Sequence, residues 1–181
     1  MILVHFKKII GEKVYLSPRS IEDAEKYTEW LNNYEIAKYI EYYTKILSID
    51  GEREFLSKNN NTYSLAIVDK QTDELIGSIG FQHMNVFDRT AELGIFIGDE
   101  NHLSKGYGSE AIKLFLDYGF NHLNLNNIIL KAYSFNKRAL RAYEKCGFKQ
   151  FGIWEKSHYA EGEYHDIIFM NIMKDDFYKS K

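Results

Sequence analysis

Three strand-like runs, residues 63–68, 74–84 and 90–98, follow one another with only five residues (DKQTD, then NVFDR) between each pair. A parallel crossover needs roughly a dozen residues or more, so connections this short predict an antiparallel meander. That meander constrains everything around it. After it, residues 105–122 form a helical pattern whose apolar stripe is Ala111, Ile112, Phe115, Leu116, Gly119, Phe120 and Leu123. Residues 127–133 read as a strand. Asn136 then caps a second helix that ends at Gly147, a residue suited to the left-handed C′ position, with Phe148 supplying the apolar contact after it. Residues 148–153 and 164–173 are the last strands. Ahead of the meander, residues 13–17 read as a strand, and Ser20 with Asp23 sets up a capping box. The helix it starts runs to about Asn32 with Ala24, Tyr27 and Leu31 on one face. Residues 34–60 read as helical in pieces. This order implies an α+β fold: a single mixed, mostly antiparallel central sheet with helices on both faces.

No repeat, low-complexity tract or linker interrupts the 181 residues, so a single domain spanning 1–181 is expected. A formal charge of −3 provides no basic footprint, and nucleic acid is not an expected partner. Cys146 is the one cysteine, and the six histidines contain no H-x-x-x-H pair, so no metal site is expected. In "MILVHFKKII" the charges follow the apolar residues, unlike a signal peptide, and no stretch approaches ~18 apolar residues. These features predict a cytoplasmic protein without a membrane partner.

The segment "HLSKGYGSEA", residues 102–111, sets two glycines before a helix in the manner of a phosphate-binding turn. The dinucleotide reading needs a glycine at the tight end of a strand and an acid at the end of the next strand. Seven residues separate the strand from Gly106, and no acid follows Tyr133. The Walker lysine is missing too, because Ser109 and Glu110 follow Gly108. Two readings remain. Backbone N–H groups converge on an anion at a helix N-terminus, or the turn merely starts a helix.

The helix "NKRALRAYEKCGF", residues 136–148, carries N-x-x-A-x-x-x-Y-E-K-x-G-F, and "AELGIFIGDENHLSKGYGSEA" precedes it. Together with the ending "GEYHDIIFMNIMKDDF", these motifs resemble the GNAT family of acetyl-CoA N-acetyltransferases, in the branch holding polyamine and ribosomal-protein N-terminal acetyltransferases. The likeness covers about residues 13–177. It implies an acyl-CoA N-acyltransferase-like fold and acetyl transfer from acetyl-CoA to a primary amine of a small molecule or protein N-terminus, by direct attack in a ternary complex. A catalytically silent CoA-binding module and a nucleotide-binding enzyme of another class are the alternatives. The branch also allows a homodimer. At Leu103 the family usually has Gln or Arg, so a contact there runs through backbone. The branch's acidic cluster before a proline is not matched either: "YIEYYTK" holds Glu41 alone.

The chemistry asks for three groups. Glu92, a carboxylate among apolar strand residues, is either a base helping to deprotonate the amine or the partner of a buried arginine such as Arg89. By resemblance, Ile95, Phe96 and Ile97 pair with the pantetheine and offer a backbone N–H to the carbonyl. Ser104, Lys105, Gly106, Tyr107, Gly108 and Ser109, with Leu103, surround the pyrophosphate, and Asn136 bonds the pantetheine while capping its helix. Tyr143 is the general acid by resemblance and a core tyrosine by its place on the stripe with Ala139 and Leu140. Cys146 reads as a small buried hydrophobe. Glu41, Tyr42, Tyr43, His83, Trp154, Glu155 and Tyr159 are candidates for the acceptor site. For each of them alone, a surface role is the plainer reading.

Overall fold

The computed structural model describes residues 4–58 and 63–179. The last two residues of the 34–60 segment therefore lie outside the described residues. The chain opens with β1 (Ile9–Ile10) and β2 (Val14–Pro18). A 3-10 turn over Ile21–Asp23 leads into α1 (Ala24–Asn32), and α2 (Tyr34–Ala37) and α3 (Ile49–Lys58) follow. The meander is β3 (Ser64–Asp69), β4 (Leu75–Asn85) and β5 (Thr90–Ile97). Next come α4 (Tyr107–Asn121), β6 (Asn127–Tyr133) and α5 (Lys137–Lys145). The hairpin of β7 (Lys149–Ala160) and β8 (Glu163–Met173) precedes the short α6 (Lys174–Lys179). Among the described residues, eight strands join one sheet, in the order β1-β2-β3-β4-β5-β6-β8-β7. It is mixed, because β5 and β6 run parallel while β2–β3, β3–β4, β6–β8 and β7–β8 are antiparallel.

Two compact units divide the chain, with boundaries inside β4 and β5. The first is Met1–Gly80 with Ile95–Ala111. Its core joins Tyr15, Ala66, Val68 and Leu75 to Tyr27, Trp30 and Leu31 of α1. The i, i+3, i+7 pattern of α1 buries Ala24, Tyr27 and Leu31 as expected, and Trp30 joins them. Trp30 lies so flat on Gly98 that a Cβ there would sit 2.1 Å from the indole, which fixes glycine at the end of β5.

The second unit is Phe81–Gly94 with Ile112–Lys181. Here Phe81 stacks on Phe115 with centroids 4.3 Å apart. A Cβ at Gly119 would come within 2.7 Å of Phe81, so the glycine lets helix and strand close up. Ile112, Phe115, Leu116 and Phe120 are buried as their period predicts, each contributing roughly 1.5–3 kcal/mol relative to exposure. Leu123 falls beyond the helix and is half-buried.

Three local departures have physical causes. The helix expected from residue 105 starts at Tyr107, because Ser104 (φ 59°) and Gly106 (φ 91°) are left-handed. Ser20 caps a 3-10 turn through Glu22 N–H, so its α-helix starts three residues later than the capping box suggests. β7 extends to Ala160 rather than stopping at residue 153, carried past the polar "EKS" by a register shift between Trp154 and His158.

Candidate functional site

The glycine turn is held in place by contacts from outside it. Glu110, in the first turn of α4, accepts the N–H groups of Lys13 at 2.9 Å and Val14 at 3.4 Å. Lys13 Nζ donates to the Lys105 carbonyl at 2.8 Å. The first N–H of the α4 ladder is that of Glu110, which donates to the Gly106 carbonyl at 3.0 Å. Amides before it point out of the helix N-terminus. Successive left-handed and right-handed residues form a backbone concavity that suits an anion, and Ser104, Lys105 and Gly106 are exposed there. These features fit a pyrophosphate. Leu103 differs from the expectation. Its N–H already donates to the Glu100 carbonyl at 3.1 Å as a 3-10 turn closes, so the donor set begins at Ser104.

Beneath the turn sits a cluster that sequence reasoning missed. His102 places Nδ1 2.9 Å from Asp99 Oδ2 and Nε2 3.0 Å from Asp69 Oδ2. The ring thus bridges two carboxylates through its two nitrogens. Tyr107 packs edge-on against His102 at 4.7 Å and donates its phenol to Asp69. Burial pushes the Asp69 carboxyl up. Hydrogen bonds from the Gln71 N–H, the Tyr107 phenol, the Thr72 N–H and His102 outweigh it and hold the group below 3.8. For Asp99, burial is likewise outweighed by the Asn101 N–H and by His102. The signal available in sequence was Asp69 at the end of one strand run and Asp99 and His102 just past the end of another, but pairing them needed the sheet order.

In the same unit, Ile95, Phe96 and Ile97 complete β5. The ladder to β6 pairs Thr90–Glu92 with Asn127–Ile129, while β5 runs on to Ile97. Phe96 meets Tyr27 and Trp30 edge to face, both at 6.2 Å. Gly108 stands in ordinary contact with Ile97, 3.6 Å from its Cγ1 for an added Cβ. Glu41 is exposed, Tyr43 packs against Tyr34, and Tyr42 packs against the aromatic core.

In the second unit, Glu92 pairs with Lys131 at 3.1 Å. The partner is not Arg89, whose Nε and Nη2 bond Asn124 at 2.7 and 2.8 Å. The register explains this: Glu92 lies beside Ile129, and Lys131, two residues on, shares its face. Asn136 Oδ1 accepts the Ala139 N–H at 3.1 Å, the cap expected of it. Tyr143 is fixed by the helix end. Phe148 N–H bonds the Tyr143 carbonyl at 3.1 Å, Gly147 N–H bonds that of Glu144 at 3.0 Å, and Gly147 has φ 97°. This is a Schellman motif, and its apolar contact is Tyr143 against Phe148, 6.1 Å between rings. Burial, with a smaller contribution from Cys146, raises the Tyr143 phenol to about 12. Cys146 is buried. His83 (φ 46°), Trp154, Glu155 and Tyr159 are exposed, and the structure joins none of them to Tyr143 by a hydrogen bond or ring contact among the described residues.

Known proteins show the same pattern. The family described as "Acetyltransferase (GNAT) domain" matches residues 13–149. The spermidine N(1)-acetyltransferase of Vibrio cholerae serotype O1 is 31% identical over 137 residues, 76% of this chain and 72% of its own. An uncharacterised N-acetyltransferase of Bacillus licheniformis is 28% identical over 172 residues, 92% of this chain and 96% of its own. Among solved structures, spermidine N-acetyltransferase from Vibrio cholerae in complex with CoA and spermine superposes with a TM-score of 0.82 at 29% identity, covering 93% of this chain and 99% of that one. A GNAT-family acetyltransferase from Bacillus anthracis gives 0.80 at 25% identity, covering 92% and 98%.

Proposed function

Because the chain belongs to the GNAT acetyltransferase family and transfers an acetyl group from acetyl-CoA to an amine, we propose that it does so by direct attack in a ternary complex, with its residues divided as follows. Bound acetyl-CoA supplies the activated thioester carbonyl. Backbone N–H groups from Ser104 to Ser109 hold the pyrophosphate at the start of α4, where the helix dipole adds roughly 0.3–1 kcal/mol for a well-placed anion. Ile95, Phe96 and Ile97, past the end of the β5–β6 ladder, present backbone groups to the pantetheine and an N–H to the carbonyl oxygen. Asn136 bonds the pantetheine through whatever capacity its capping bond leaves. The single observation that carries this reading is the preformed, exposed glycine turn, pinned by Lys13 and Glu110.

An acceptor amine of ordinary pKa, about 10.4, arrives protonated at neutral pH. Glu92 takes up that proton through an ordered water, since Lys131 already engages its carboxylate. The neutral amine forms the new C–N bond as the C–S bond breaks, and the nitrogen loses one proton while the sulfur gains one. Tyr143 serves the sulfur. With its phenol at about 12, complete transfer to a thiolate of ordinary pKa near 8.5 is uphill by roughly 5 kcal/mol. Tyr143 therefore acts first as a hydrogen-bond donor to the leaving sulfur, and the proton follows as charge leaves the amine.

The direct test follows CoA thiol release and product mass with acetyl-CoA and a panel of primary amines. Amine-dependent release with an acetylated product is expected. Binding of acetyl-CoA without amine-dependent release from any member would sink the transfer reading in favour of a silent CoA-binding module. For a partner of its own kind, the side chains Ile153, Trp154 and Tyr159 on β7, all more than half exposed, support a homodimer on that strand.

A further inference from the structure

Lys13 stands directly before β2, and its backbone is held from two directions. Its N–H donates to Glu110 Oε1 at 2.9 Å, and its carbonyl accepts the Lys70 N–H at 2.8 Å. The root of the side chain is therefore fixed against the first turn of α4. From there the side chain reaches the glycine turn, 92 residues away in sequence. Nζ donates to the Lys105 carbonyl at 2.8 Å, lies 5.8 Å from the centre of the Tyr107 ring, and would stand 3.5 Å from a Cβ at Gly106. The ammonium thus rests on the same backbone concavity whose amides are open to an anion.

That placement calls for an explanation. Lys13 is exposed. Holding an exposed lysine in one place forfeits rotamer freedom, and a single bond to a carbonyl in water does little to offset the loss. The turn also carries negative charge of its own. The Glu110 carboxylate sits in the first turn of α4, and Asp69 and Asp99 meet His102 beneath it. A phosphate drawn to the helix amides is repelled by that carboxylate, and the Lys13 ammonium offsets the repulsion. Leu103 adds nothing for an anion, since its side chain is apolar and its N–H is engaged by Glu100. What the structure fixes of Lys105 is its carbonyl; the ammonium fixed at the turn is that of Lys13. An ammonium has three N–H donors, and the Lys105 carbonyl takes one, which leaves the others for phosphate oxygens.

We propose that the Lys13 ammonium binds the CoA pyrophosphate directly, adding a full charge to the dipoles of the turn. This rests on the reading that the glycine turn holds the pyrophosphate. It makes preference for a phosphate-bearing acyl donor the joint work of α4 and a residue from the opposite end of its unit's sequence. Lys13 touches the donor far from the reacting carbonyl, so it acts on donor affinity rather than on bond making.

The experiment measures calorimetric binding and transfer with acetyl-CoA, acetyl-3′-dephospho-CoA and S-acetylpantetheine, at low and high KCl. Wild type, Lys13→Met and Lys13→Arg are compared. Lys13→Met is expected to raise Kd and KM about tenfold for both donors that carry the pyrophosphate, the scale of one charge-assisted bond, and to leave S-acetylpantetheine little changed. Kd should also rise less steeply with salt, because a screened charge pair is gone. Lys13→Arg should restore most of both. A loss confined to acetyl-CoA would put Lys13 on the 3′-phosphate and overturn the pyrophosphate contact. An unaltered salt slope in Lys13→Met overturns it as well, making Lys13 only a support for the Lys105 carbonyl. If wild type favours acetyl-CoA over S-acetylpantetheine and Lys13→Met keeps the whole preference, the proposal fails while the reading of the turn stands. If wild type binds the three donors equally, both fail. Lys13-dependent binding of acetyl-CoA without transfer to any amine sustains the contact while the transfer reading fails.

Discussion

At the scale of single residues, chemistry here depends on what surrounds each group. Tyr143→Phe deletes the phenol yet keeps the ring that packs on Phe148. Turnover is expected to fall by about 10²-fold or more, with KM for acetyl-CoA little altered, in steady-state kinetics. An unchanged kcat across pH would remove Tyr143 from the chemistry. His102 makes a different prediction, because it supports the turn rather than the reacting atoms. His102→Ala is expected to raise KM for acetyl-CoA by about tenfold, roughly the loss of one charge-assisted bond, with kcat preserved. The cluster also sets an acid limit. Asp69 and Asp99 titrate below 3.8 in the fold, so their stabilisation is present above that value and is lost as pH falls through the lowered ones. Asp69→Asn should flatten the acid limb of a Tm–pH curve below about pH 4, the ordinary aspartate range. Tyr143 was legible in sequence because its helix, its cap and its glycine stop are local. His102 was not, because one of its two partners, Asp69, lies 33 residues away at the end of β3.

At the scale of elements, helix ends and strand registers decide what the side chains can do. Gly147 is left-handed and closes the motif that holds Tyr143. Gly147→Ala is expected to destabilise by about 1–2 kcal/mol. That corresponds to a Tm lower by roughly 2–8 °C for a chain of this size, with a parallel loss of kcat. A Tm that does not move would show the turn to be unstrained. Glu52 on α3 predicts the opposite sign. Burial raises its carboxyl above 4.5, so the fold binds a proton more readily than the unfolded chain. Stability then declines as pH rises from 4.5 through the raised value. Glu52→Gln should abolish that slope in urea titrations across pH. Amphipathic period made α1, α4 and α5 readable, and the short connections of the meander made its strands readable. The β5–β6 register was not readable, since it depends on a parallel neighbour placed by α4. That is why the sequence offered a nearby arginine as the alternative to a base role for Glu92, while the partner the fold supplies is Lys131.

At the scale of the whole molecule, strand order follows chain order up to β6, and the closing hairpin then reverses, β8 lying inside β7. Alternation and turn spacing conveyed the class of sheet. They did not convey this reversal, which is a choice between two edges with similar local sequence. Among the described residues, no helix is long and apolar enough to cross a membrane. Binding should register on the whole fold: acetyl-CoA at 100 times its Kd stabilises by about 2.7 kcal/mol, a rise in Tm of roughly 5–11 °C for a chain of this size. NAD and ATP serve as controls, and an equal rise with either would remove the CoA preference.

The sheet ends on one side in the two-residue β1 and on the other in the twelve-residue β7. A strand that long, with Ile153 and Trp154 exposed, is a template for lateral growth. Its register shift between Trp154 and His158 breaks that template. Lys156 turns left-handed at φ 47°, its N–H donates to Asp166 at 2.9 Å, and the Trp154 carbonyl accepts the Ser157 hydroxyl at 2.8 Å. The hairpin thus caps its own backbone where a stranger would pair. A strand arriving from outside therefore meets an interrupted edge on β7, which disfavours open-ended growth.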